Sequence, residues 1–157
     1  MEPIRVRNVF TPGHSLAMNV HPDTRFDRIL RQFAETEWLR SVFVVDEDER
    51  LIGVITRADI LHWAQAKLGG VLQSPHFEPE DIVRMVQLMR ATTAREAIHP
   101  RSDEAAVQLD TLLSHALRKM IDLDLVAIPV VDEEGRVIGD LTLSNALQFL
   151  LSLSSEM

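Results

Sequence analysis

The chain carries two copies of one unit, and this duplication limits its possible folds more than any other feature. VHPDTRFDRILRQF, from Val20, lies over VQLDTLLSHALRKM, from Val107, and VVDEDERLIGVIT, from Val44, lies over VVDEEGRVIGDLT, from Val130. Identical pairs include Asp23/Asp110, Thr24/Thr111, Leu30/Leu117, Asp46/Asp132, Arg50/Arg136, Gly53/Gly139 and Thr56/Thr142. The lead-ins repeat as well, with VRNVFTP from Val6 over AREAIHP from Ala94 and Pro12 matching Pro100. A unit of roughly 50 residues buries too little apolar surface to stand alone, so the copies are expected to pack together as one module.

Each copy reads as strand, helix, strand, turn, strand, helix. Phe26, Ile29, Leu30 and Phe33 recur at helical spacing, as do Leu113, Ala116, Leu117 and Met120, and Asp23-Thr24 and Asp110-Thr111 are expected to cap these helices. SVFVVD and AIPVVD are strands joined through the acidic turns EDER and EEGR to LIGVIT and VIGDLT. Gly135 suits a positive φ in the second turn; Glu49 stands at that position in the first, whose turn is expected to differ slightly. Further helices are expected to start at Thr56 and Thr142. The expected division is residues 1–65 for the first repeat, 66–93 for a connector and 94–157 for the second repeat. In the connector, Gly69-Gly70 ends one helix and EPEDIVRMVQLMR begins another, with Pro79 in its first turn. Its stripe of Ile82, Met85, Val86 and Met89 is expected to pack on its own module; a partner protein is the alternative cover.

The bulk numbers exclude several classes of function. The 157 residues fit one domain. No apolar run reaches the ~18 residues of a membrane span, and MEPIRVRNVF lacks the pattern of a signal peptide, so the expected location is cytoplasmic. Without cysteine there is no disulfide framework, thiolate nucleophile or cysteine-ligated zinc. A formal charge of -8 opposes nucleic acid and anionic lipid, so any phosphate-bearing ligand needs basic groups gathered locally. His14, His21, His62, His76, His99 and His115 show no metal-gathering spacing and read as scattered surface residues. Glu47/Asp48 and Glu133/Glu134 fall in turns and do not read as a catalytic pair. Ser114, Ser144, Ser152, Ser154 and Ser155 lack a G-x-S-x-G setting, and no phosphate-cradling Walker loop occurs.

The order of DT before a helix, PVVD, an acidic turn and IG-h-h-T-x-x-[DN], where h is apolar, resembles the cystathionine-β-synthase-type (CBS) repeat over nearly the whole chain apart from 66–93. The resemblance implies an α/β (α+β) fold: two pseudo-symmetric repeats, each a small β-sheet packed with two helices, plus the connector helix. It also implies two clefts, each built from the T-x-x-D end of one repeat and strand edges of the other. Such modules are ligand sensors that bind AMP, ADP or ATP and, less often, other adenosyl compounds such as S-adenosylmethionine.

In the first cleft GVITRAD ends a strand and opens a helix, whose free N–H groups favour an anion. Thr56 can donate to a phosphate, and the Asp59 carboxylate can accept both ribose hydroxyls. Gly53 would let a ligand come close. By the resemblance, adenine lies against Val54 and, from the second repeat, Leu125, Val126, Ala127 and Pro129, with Pro100 and Ala105 on the other side. His99 and Arg101 flank this segment within reach of phosphates. The same Thr56/Asp59 spacing also makes a helix capping box that needs no ligand.

The second cleft departs from the pattern. Asp140 replaces an apolar residue and Asn145 replaces the ribose-binding acid, beside the retained Thr142. Pro12, Met18, Leu39, Arg40, Ser41 and Phe43 would contribute from the first repeat. One ligand per chain is therefore expected. The final helix carries Leu143, Ala146, Leu147, Phe149, Leu150, Leu151 and Leu153 over more than one face, and Ile60, Leu61, Trp63 and Ala64 crowd the matching helix. With the resemblance, this surplus implies a homodimer. The chain is thus expected to be a regulatory module, not an enzyme, with no cofactor or metal, acting on an unidentified regulated protein; a ligand-free dimerisation or interaction module is the alternative.

Overall fold

A computed structural model describes residues 2–13, 15–73 and 75–157, so His14 lies outside the described residues. The repeat appears as two three-stranded sheets of identical topology. Strands β1 (Ala17–Val20), β2 (Ser41–Val45) and β3 (Leu51–Thr56) form one sheet with helices α1 (Phe26–Glu35) and α2 (Arg57–Leu68). Strands β4 (Val107–Gln108), β5 (Ala127–Val131) and β6 (Val137–Thr142) form the other with α4 (Leu113–Leu123) and α5 (Leu143–Ser154). In each sheet the first pair is parallel and the second antiparallel. The connector contributes α3 (Pro79–Ala91).

Every residue of β2 and β5 is buried, because each strand serves two layers. Val42 and Val44 point into a core with Phe26, Ile29, Phe33, Ile55 and Trp63 of their own repeat. Phe43 and Val45 point the other way, into a core shared with Leu113, Met120, Ile128 and Leu141 of the second repeat. Each fully buried side chain of this size contributes about 1.5–3 kcal/mol, so the repeats are joined by hydrophobic surface that neither can cover alone.

The lead-ins are exchanged. Ile4 to Arg7 dock on the second repeat, with the Val6 N–H on Thr111 O at 2.9 Å and the Leu113 N–H on Ile4 O at 2.9 Å. The matching residues 92–95 dock on the first, with Ala94 N–H on Thr24 O at 2.8 Å and Phe26 N–H on Thr92 O at 2.8 Å. This exchange corrects the expected caps. The N-cap residues of α1 and α4 are Arg25 and Leu112, and neither donates a side-chain cap. A lead-in carbonyl meets the first orphan N–H of each helix, so Asp23-Thr24 and Asp110-Thr111 are left to shape the preceding turn, where Thr111 Oγ1 accepts from Gln108 N–H at 3.0 Å.

The two hairpin turns do not differ as expected. Glu49 has φ 64° and Gly135 φ 84°, and both turns close through the same hydrogen bonds, with Asp46 or Asp132 accepting from the N–H groups two and four residues on. Here Glu49 takes the left-handed conformation that suits glycine, held by the Asp46 side chain and by its own carbonyl, which accepts from Val137 N–H at 3.0 Å. Helix α3 packs on α1 through Leu88 and Met89; of the expected stripe, Met89 reaches the core, Met85 and Val86 are half-buried and Ile82 stays exposed. Trp63 ties α2 to the connector by stacking near Phe26 and donating to Thr92 Oγ1 at 3.2 Å.

Candidate functional site

Strand β3 ends at Thr56, the N-cap of α2. The Thr56 N–H and hydroxyl both donate to Asp59 Oδ2, at 2.8 and 2.7 Å. The capping box read from the sequence is therefore formed, and Asp59 is buried, its side chain 4% exposed. Asp59 Oδ1 meets His99 Nδ1 at 2.8 Å, and His99 Nε2 meets the Leu123 carbonyl oxygen at 2.7 Å. His99 thus bridges the first repeat to the end of α4. This overturns two readings: His99 is not a surface histidine, and its ring points inward to Asp59, away from solvent. Among the described residues no cluster of three or more His, Cys, Asp or Glu can hold a metal.

The open edge of β3 is read by the segment after the connector. Val54 N–H donates to Ser102 Oγ at 2.8 Å, and His99 N–H donates to Val54 O at 2.8 Å. Ile98 fills the space over Gly53, where an added Cβ would lie 2.3 Å from its Cγ2; the close approach that Gly53 permits is made by the chain itself. Phe10 does the same at Gly139, 2.7 Å from the position of an added Cβ.

Val54, Ala105 and Leu125 come together in the core shared between the repeats, beside Leu123. Pro100 and Val126 are exposed. Ala127 and Pro129 are buried on β5 directly opposite Thr142 and Asp140, and Ser41 and Phe43 stand opposite Thr56 and Val54 on β2. Residues assigned to opposite clefts are thus cross-strand neighbours within each sheet. His99, Ser102 and Leu123 are the participants that sequence reasoning missed or misdirected; no local pattern announces them, because each acts on a residue distant in sequence. Beyond Leu123 lies a groove of about 450 Å³ lined by Arg101, His115, Arg118 and Lys119 together with Glu104 and Asp122. Arg101 is paired there with Glu104 at 3.2 Å. Arg57, by contrast, is held by the carbonyls of Phe33 and Thr36 and lies over the Phe33 ring.

At the matching end of β6, Thr142 Oγ1 accepts from Asn145 N–H at 3.2 Å, and the Asn145 side chain is exposed. Asp140 is buried, and its carboxylate accepts from Leu16 N–H at 3.3 Å. Burial pushes the Asp140 carboxyl up, an effect partly offset by hydrogen bonds from Leu16 and Ser15. Nearby, Ser15, Ala17, Asn19, Phe43, Val137, Ile138 and Gly139 line a cavity of about 270 Å³. Met18 is half-buried against the first core, Pro12 and Arg40 are exposed, and the buried Ser41 hydroxyl has no hydrogen-bond partner among the described residues.

Comparison with known proteins agrees with this architecture. Over 130 residues the chain is 29% identical to the magnesium transporter MgtE of Thermus thermophilus, covering 82% of this chain and 23% of the transporter. The cytosolic domain of the Mg2+ channel MgtE, solved in complex with ATP, is similar with a TM-score of 0.55 at 24% identity, covering 86% of this chain and 45% of that one. A CBS domain-containing protein from Thermotoga maritima, tm0935, gives a TM-score of 0.70 at 28% identity, covering 97% of each chain. CBSX2 of Arabidopsis thaliana in complex with AMP gives 0.68 at 22% identity, covering 96% of this chain and 98% of that one. The chain spans less than two thirds of the length of the curated relatives it matches, 23% of one and 59% of another. No helix among the described residues is long and apolar enough to cross a membrane. The model of the CBS domain matches residues 17–66 and 94–152, the two halves of the repeat, and the chain belongs to that family as a CBS pair.

Proposed function

We propose that this chain is a regulatory module, not an enzyme, that senses an adenine nucleotide or another adenosyl compound in its first cleft. The observation that carries the reading is Thr56 with Asp59 at the N-terminus of α2, joined through His99 to the second repeat. The helix N-terminus suits an anion, and the carboxylate offers charge-assisted acceptors to a ribose diol. Val126 and Pro100 are the exposed members of the adenine segment, whereas Val54, Ala105 and Leu125, with Ala127 and Pro129 behind, are buried and would have to be uncovered for adenine to reach them. The basic side chains around the neighbouring groove supply the local positive charge that phosphates need in a chain of charge -8. The AMP on CBSX2 and the ATP on MgtE support AMP, ADP or ATP as ligand; S-adenosylmethionine shares the adenosyl group.

A thermal-shift panel with AMP, ADP, ATP, NAD and S-adenosylmethionine, followed by calorimetry, tests the reading. A ligand that binds only the folded chain raises its melting temperature; a flat panel would reject the proposal. A second reading, a ligand-free interaction module, draws support from Asp59, which already has internal hydrogen-bond partners on both oxygens.

Under either reading a second copy is the proposed cover for the outer faces of α2 and α5. Leu61, Leu147 and Leu151 are exposed there at 57%, 47% and 69%. Light scattering should return twice the 17.8 kDa chain mass, and a monomer would leave those leucines for a regulated partner.

A further inference from the structure

We propose that His99 sets the affinity of the first cleft by occupying, in the ligand-free protein, the carboxylate oxygen that a ribose diol would take. This rests on reading the cleft as an adenosyl site. Asp59 Oδ2 accepts from both the N–H and the hydroxyl of Thr56, at 2.8 and 2.7 Å, which fills that oxygen. Oδ1 meets His99 Nδ1 at 2.8 Å, which leaves that oxygen one free position. A vicinal diol needs two acceptor positions. The carboxylate is also only 4% exposed, so the remaining lone pair is out of reach. A ribose can therefore bond Asp59 only after the imidazole has moved.

The ring is held at both edges. Nε2 lies 2.7 Å from the Leu123 carbonyl oxygen, at the C-terminal end of α4, and the His99 main chain is pinned to Val54 at 2.8 Å. The imidazole therefore links α2, the segment after the connector, and α4. Release of Asp59 by His99 breaks a contact between the repeats, so the exchange of imidazole for ribose alters how the two halves are tied together. In the matching position of the first lead-in stands Thr11, and Asn145 replaces the acid, so the second cleft carries no counterpart of this contact. The device belongs to the cleft that retains the ribose acid.

Calorimetric titration of AMP into the wild-type protein, His99→Ala and His99→Gln, with 15N NMR of the ring nitrogens in the wild type, tests the inference. His99→Ala is expected to bind AMP about tenfold more tightly, because the partner then nearest Oδ1 is the exposed His62 ring, with Nδ1 at 3.8 Å, beyond hydrogen-bond distance. His99→Gln keeps an amide donor and a folded-state partner for Asp59, and should fall between the two. The ring-nitrogen shifts should change as AMP saturates the cleft. Equal or weaker AMP affinity in both variants would overturn the proposal, as would ring shifts that saturating AMP leaves unchanged. AMP binding in His99→Ala alone would support it in its strongest form. If no adenosyl ligand binds the wild type or either variant, the reading of the cleft falls and this inference with it, an outcome distinct from binding that His99 does not influence.

Discussion

At the end of β3 the chain places Val54, Thr56 and Asp59; at the end of β6 it places Asp140, Thr142 and Asn145 on the same backbone. The capping threonine at both accepts from the N–H three residues on, and Thr56 in addition donates its hydroxyl to Asp59. The carboxylates have changed places. In the first cleft the acid sits on the helix, buried, and bonded to Thr56 and His99. In the second it sits on the strand, where burial raises its pKa and the Leu16 N–H meets it at 3.3 Å. A pseudo-two-fold backbone thus preserves the frame while single side chains decide whether the buried carboxylate lies on the helix or on the strand.

The comparison breaks most readily at Asp59. Asp59→Ala should weaken the adenosyl ligand by tenfold or more in calorimetry, about 1.5–3 kcal/mol, whereas Asn145→Ala should leave its affinity unchanged. Equal losses would mean that the clefts do not differ in the way their side chains indicate.

Occupancy sharpens the contrast next. The wild-type chain should saturate at one ligand, and the double substitution Asp140→Val with Asn145→Asp should raise this towards two, since it restores the first cleft's residues in the second. A wild-type stoichiometry of two would show that Asp140 and Asn145 do not disable their cleft.

Stability carries a smaller signature. Because the folded Asp140 carboxyl is raised above the ordinary 3.8, the folded state holds a proton there more readily than the unfolded chain. That advantage is complete below the ordinary value and is lost as pH rises through the raised one. Asp140→Asn should therefore raise the melting temperature at pH 7, with the gain vanishing at acidic pH. A gain that persists in acid would place its cause elsewhere.

The smallest effect lies in the turns. Gly135→Glu should cost about 1 kcal/mol in denaturant unfolding, while Glu49→Gly should gain only a few tenths, since relief of the left-handed conformation is offset by a freer unfolded chain. Equal and opposite changes would show that Glu49 carries the full strain.

Much of this frame is legible in the residues themselves. The helical spacing of Phe26 to Phe33 and Leu113 to Met120, the β-branched runs and the two T-x-x-[DN] steps place the helices, the antiparallel strand pairs and the capping threonines. Such patterns are local, and burial of one face enforces them. The caps of α1 and α4 are misread because a remote lead-in carbonyl takes the place of a local side chain. The turn at Glu49 is misread because intrinsic preference is overridden by Asp46 and by the facing hairpin.

The sequence alone determines a duplicated α+β module with an acid three residues after Thr56 and an amide three residues after Thr142. Tertiary structure alone decides that the lead-ins are exchanged between repeats, that Ile98 and Phe10 fill the space over the two matched glycines, and that His99 closes on Asp59. These outcomes join residues far apart in the chain: His99 and Asp59 meet 40 residues apart and Val6 and Thr111 bond across 105. Periodicity and spacing report only what neighbours along the chain impose, whereas these contacts arise because two half-covered sheets must share one core.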